Sequence, residues 1–103
     1  MRKKKPHRKP RLRKTKHTLE EFHRLCSEYK NKCVCCGEKF DLSALTRDHI
    51  KSTSKKGKDY IWNIQPMCEE CNSAKGSVYR DLRPFIPIWV LEKQDRYKRK
   101  NRK

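Results

Sequence analysis

The chain has 103 residues, a formal net charge of +17 and 40% charged side chains, which allows one domain and excludes a large apolar core. No apolar run is long enough to span a membrane, and the basic N-terminus leads into no hydrophobic segment of the secretory kind, so an intracellular, cytoplasmic protein is expected and a secreted one is not. Six cysteines in a reducing compartment point to metal before disulfides.

The charge is unevenly placed. Residues 1–17 hold ten Lys/Arg and no acid, residues 93–103 hold seven and one acid, Asp95, and residues 18–92 hold twelve basic against eleven acidic side chains. This divides the chain into a flexible basic arm (1–17), a nearly neutral body (18–92) and a basic C-terminal tail (93–103). Such arms repel themselves and cannot bury enough apolar surface to fold alone. Their natural partner is a polyanion, bound through counterion release and therefore weakened by salt.

In chain order, Pro6 and Pro10 oppose helix in the arm. Thr18 with Glu21 three positions on forms a capping box, and Leu19, Phe22, Leu25 and Tyr29 recur at helical spacing, which predicts a helix over 19–30 with Cys26 facing the body. Cys33-x-x-Cys36-Gly37 reads as a knuckle whose tight turn aims backbone N–H groups at sulfur, with Gly37 free to take positive φ. "ALTRDHI" reads as a strand, "KSTSKKGKD" as a polar basic loop and "YIWNIQPM" as a second strand. "EECNSAKGSVY" reads as a short helix weakened by Gly76. In the C-terminal segment Pro87 could open a further helix. The apolar run 85–91 reads first as packing and second as a surface for a partner or for self-association.

Cys33-x-x-Cys36 and Cys68-x-x-Cys71, with 31 residues between the pairs, supply four thiolates for a tetrahedral Zn(II). Four thiolates close the coordination sphere, so this zinc is structural and any catalysis needs a second centre. Cys26 and Cys35 fall outside the pattern.

Taken in order, Cys33-x-x-Cys36, Asp48-His49-Ile50, Trp62-Asn63-Ile64-Gln65-Pro66-Met67 and Cys68-x-x-Cys71-Asn72-x-x-Lys75-Gly76 resemble the HNH (ββα-metal) endonuclease family in its zinc-containing, four-cysteine branch. The resemblance covers residues 33–76. It implies a small α+β fold with a ββα-metal (His-Me finger) core, and a metal-dependent DNA endonuclease that acts on double-stranded DNA to leave 5′-phosphate and 3′-hydroxyl ends. His49 matches the general base, Asp48 a ligand of the catalytic metal, and Asn63 the asparagine that braces the loop and helps orient the histidine. Asn72 stands where many members carry a second histidine ligand, making this an H-N-N variant. An amide oxygen in place of a ring nitrogen favours a hard ion such as Mg(II). The loop between His49 and Asn63 lacks the proline and paired glycines often found there. Many small stand-alone members come from phages, which gives a weak expectation of a phage or bacterial origin.

The chemistry accounts for these residue types on its own terms. Phosphodiester hydrolysis needs an activated water, which a neutral imidazole can supply by accepting a proton, and a cation to steady the leaving oxygen. Adjacent residues of a strand point to opposite faces, so Asp48 and His49 converge on one phosphate only if the strand ends or bends there. Lys75, three positions after Asn72 and on its helix face, reads equally as a phosphate contact and as a solvated lysine. Arg47, Lys51, Lys55, Lys56 and Lys58 could follow the nucleic-acid backbone. Trp62 reads as a core anchor before a base-stacking platform. His7, His17 and His23 receive no role. The rival reading is a non-catalytic zinc-containing DNA- or RNA-binding protein, and a third is a nuclease subunit that needs a larger partner. The motif is compatible with nicking and with double-strand cutting alike.

Overall fold

The computed structural model describes residues 16–100. The arm expected over 1–17 lies, apart from Lys16 and His17, outside the described residues. The described chain is a small α+β unit in which a two-stranded antiparallel sheet carries helices on its faces.

Helix α1 spans Leu19–Glu28 and opens on the expected capping box, with both Thr18 and Glu21 reciprocally bonded. It stops two residues short of the expected end because Lys30 and Asn31 both take φ of 57°, left-handed geometry that no helix continues. Tyr29 nevertheless stays buried and donates its hydroxyl to the Phe85 carbonyl at 2.7 Å.

Strands β1 (Leu45–His49) and β2 (Ile64–Cys68) pair in the register Leu45 to Cys68 and His49 to Ile64. The knuckle covers β2, with the Val34 N–H donating to the Pro66 carbonyl at 3.1 Å. Proline is tolerated in β2 because the sheet has only two strands, both of them edges. The second strand begins at Ile64 rather than Tyr60, since residues 61–63 form a single 3-10 turn after Tyr60. Helix α2 (Glu69–Lys75) ends before Gly76, whose φ is 60°, and not near Tyr79 as its sequence suggests.

Helix α3 runs from Ile88 to Lys100. Residues 93–100, read from sequence as the start of a basic tail, therefore continue a helix. Lysine, arginine and glutamine are good helix formers, the Asp95–Arg99 pair at 2.6 Å bridges one turn, and Tyr97 lies against Tyr60 and Trp62.

Phe22, Leu25 and Cys26 of α1 meet Leu45, Ile61, Ile64 and Val90 in the main core. Burial pushes the Cys26 thiol up to about 11. A second cluster joins Met67 to Cys33 and Cys68. Of the run 85–91, Val90 is buried and Ile86 and Trp89 are partly so, while Phe85, Ile88 and Leu91 are exposed. Among the described residues, no helix is long and apolar enough to cross a membrane.

Candidate active site and metal centre

The knuckle and the start of α2 bring the sulfurs of Cys33, Cys36, Cys68 and Cys71 within 4.8 Å of one another. A tetrahedron with Zn–S of ~2.3 Å has edges of about 3.8 Å, so a small inward movement closes it. Local backbone geometry favours sulfur charge. The Cys35 and Cys36 N–H groups approach Cys33 Sγ at 3.4 and 3.5 Å, and the Cys71 N–H approaches Cys68 Sγ at 3.5 Å. Gly37, at φ 78°, turns the chain out of the knuckle. Burial works against charge on Cys33, but the N–H groups of Cys36, Cys68 and Cys35 outweigh it and bring the thiol to about 7. Cys71 is pushed the other way by the neighbouring Cys68 thiol and by burial, since sulfurs this close cannot all ionise without a cation between them. Four soft donors converging in this way could hold zinc and leave it no open position. Cys35 is exposed and Cys26 is buried in the core; neither belongs to the group.

The second centre lies at the end of β1, where strand alternation governs the arrangement. Asp48 faces α2. Its carboxylate, on a residue 2% exposed, is held by Lys75 Nζ at 3.0 Å and by Gln65 Nε2 at 2.9 Å. Gln65 is itself fixed, accepting from the Leu82 N–H at 2.8 Å. The Lys75 side chain is 4% exposed and also donates to the His49 carbonyl at 3.3 Å. Lys75 is thus a buried partner of Asp48, since desolvating an ammonium requires a nearby carboxylate. Asn72 donates its amide to Thr46 Oγ1 at 2.8 Å and to the Arg47 carbonyl at 3.3 Å. Its amide oxygen is left, among the described residues, without a hydrogen bond.

The His49 ring leaves β1 on the other side, at the last residue of the strand. Its Nε2 lies 2.7 Å from Asp59 Oδ1. An ionised carboxylate only accepts, so Nε2 carries the proton and Nδ1 keeps the lone pair of the neutral ring. Asp59 also binds His17, accepting from the His17 N–H and from Nδ1 with its own carbonyl, both at 2.9 Å. The other His17 nitrogen accepts from Arg47 Nε at 2.7 Å, and the Arg47 guanidinium lies over the Phe22 ring at 4.6 Å. Arg47, offered by the sequence as a backbone-contacting residue, therefore also ties β1 to α1. Asp59 and His17 were not singled out by sequence reasoning. Asp59 lies ten residues beyond His49 in an aperiodic loop, and no spacing rule links the two.

Asn63 clasps both ends of that loop. Its Oδ1 accepts from the Lys51 N–H at 2.9 Å, and its Nδ2 donates to the carbonyls of Lys51 and Lys58 at 3.1 and 2.7 Å. The loop manages without paired glycines because Gly57 alone makes the close approach: any side chain there would run into the Lys51 carbonyl. Lys51, Lys55, Lys56 and Lys58 stand exposed around it.

Residues 33–77 match the family model described as HNH endonuclease. No curated protein matches the chain.

Proposed function

We propose, on the premise that residues 33–77 are an HNH endonuclease domain, that the protein is a metal-dependent endonuclease hydrolysing phosphodiester bonds of double-stranded DNA. The reading rests chiefly on the His49–Asp59 contact. It orients an imidazole with a free lone pair on Nδ1 at a part-exposed position, beside a loop of exposed lysines that a phosphate backbone can approach.

In this mechanism His49 Nδ1 takes a proton from the attacking water. Asp59 holds the ring and steadies the imidazolium that forms. Asn63 keeps the loop carrying Asp59 at its distance, acting through geometry and not through contact with substrate. Asp48 and Asn72 are the residues that would hold a divalent ion such as Mg(II). Both offer hard oxygen donors, and the Asn72 oxygen has no other partner among the described residues, while the Asp48 carboxylate must first give up Lys75. When bound there, an ion of this kind would supply Lewis-acid charge to the scissile phosphate and the leaving 3′ oxygen. The thiolate centre fastens the knuckle to α2 and takes no part in the reaction.

The test is cleavage of supercoiled plasmid with Mg(II), with nicked and linear products resolved. His49→Ala is expected to lower the rate by ~10²–10⁴-fold; equal cutting by variant and parent would refute the assignment. The rival reading, a non-catalytic zinc-containing DNA- or RNA-binding protein, draws support from the buried Asp48–Lys75 pair, in which a lysine already neutralises the carboxylate. It predicts binding without cleavage under every divalent ion.

A further inference from the structure

Away from His49, the sequence turn Tyr60–Asn63 and helix α3 enclose a concavity of about 560 Å³. Its floor is aromatic. Tyr60 stacks on Trp62 with ring centroids 4.5 Å apart, and Tyr97 of α3 lies 4.8 Å from Tyr60 and 5.5 Å from Trp62. The Tyr60 hydroxyl donates to that of Tyr97 at 2.5 Å. These contacts fix α3 against the loop that carries Asp59.

The walls are cationic: Lys16, Lys93, Arg96, Arg99 and Lys100 stand against a single acid, Glu21. Glu21 already holds Lys93 at 2.8 Å, and Arg99 is paired with Asp95. Among the described residues no ion pair engages Lys16, Arg96 or Lys100. A neighbouring concavity of about 410 Å³ shares Tyr60 and Trp62 and is lined by Lys51, Lys56 and Lys58 of the His49 loop. A positively lined track therefore leads from the candidate active site, across two aromatic rings, to α3. The most basic runs of the sequence flank these residues along the chain. Residues 1–14 precede Lys16 with nine Lys/Arg, and Arg102 and Lys103 follow Lys100.

We infer that this concavity is a second nucleic-acid contact, where Lys16, Arg96 and Lys100 bind backbone phosphates of the duplex flanking the cleaved linkage. The aromatic floor acts as a rigid mount that sets these charges at a fixed offset from His49. Rows of unpaired cations on a stiff surface suit a regularly spaced phosphate chain. The inference rests on DNA as the substrate of the proposed nuclease, but its test does not require cleavage.

The experiment uses the full chain carrying His49→Ala, a labelled 30-base-pair duplex and no divalent ion. Affinity is followed by fluorescence anisotropy across a salt series. Lys16→Gln/Arg96→Gln/Lys100→Gln is compared with a charge-matched control remote from the concavity, Lys30→Gln/Lys32→Gln/Lys39→Gln. The first triple variant is expected to weaken binding ~10- to 100-fold at about 0.1 M salt and to reduce the slope of log K against log salt by up to about 2.7, while the control barely changes. Equal losses in the two variants would reduce the effect to net charge and overturn the inference, as would unchanged binding in the first. Failure of plasmid cleavage with this pattern intact would count against the nuclease reading alone.

Discussion

Asp59 Oδ1 lies 2.7 Å from His49 Nε2, and the same residue anchors His17 through its backbone carbonyl. One loop aspartate thus fixes the ring tautomer of the histidine at the end of β1 and ties its loop to the residue preceding the Thr18 cap. If Asp59 positions the base, Asp59→Ala should lower the cleavage rate by roughly 10–10²-fold, less than loss of the base itself. Asp59→Asn, whose amide oxygen can still accept from Nε2, should recover part of that loss. Equal losses in the two variants, or a rate like the parent's, would take Asp59 out of this positioning role.

Lys75 and Asp48 form a buried ion pair, so truncating either strands the other. Lys75→Met should destabilise the protein by about 3–5 kcal/mol, the usual result of removing one partner of such a pair. If Asp48 is also a ligand for a divalent ion, Mg(II) should raise the melting temperature of Lys75→Met more than that of the parent, because the ion replaces the missing charge. An equal response in both proteins would take Asp48 out of the metal site.

Gly57→Ala forces a methyl group against the Lys51 carbonyl, the same backbone group that Asn63 grips. We expect a stability loss of ~1–3 kcal/mol by urea unfolding together with reduced cleavage, as the loop carrying Asp59 shifts. A variant as stable as the parent would show that the loop is not held in this path.

The sulfur cluster predicts one zinc per chain by elemental analysis. Cys68→Ser should lose the zinc and much of the cooperative thermal transition, since a body this small gains a large share of its stability from such a staple. Cys35→Ser should keep both, because Cys35 lies outside the converging group. Zinc loss from Cys35→Ser would redraw the ligand set.

Local rules made several of these features readable in advance. The Thr18–Glu21 box, the two Cys-x-x-Cys turns and the positive φ of Gly37 each depend on neighbours within four residues. Strand alternation at Asp48–His49 was visible as a constraint, and the structure resolves it by sending the two side chains to opposite faces. The unread features depend on pairs distant in sequence. Asp59 meets His49 only because Asn63 and Gly57 fold the loop back. Lys75 turns inward because Asp48 waits beneath α2, whereas an isolated short helix would leave a lysine in water. Residues 93–100 looked like a tail because their charge hides the one aromatic, Tyr97, that seats the helix on Tyr60 and Trp62.

The period-two geometry of β1 also bears on how this molecule can vary. Substitutions along the ribbon change one contact each, but inserting or deleting a single residue between Thr46 and Asp48 would exchange the two sides wholesale, presenting the carboxylate to the loop and the imidazole to Lys75. Length, more than identity, is what this short segment must keep.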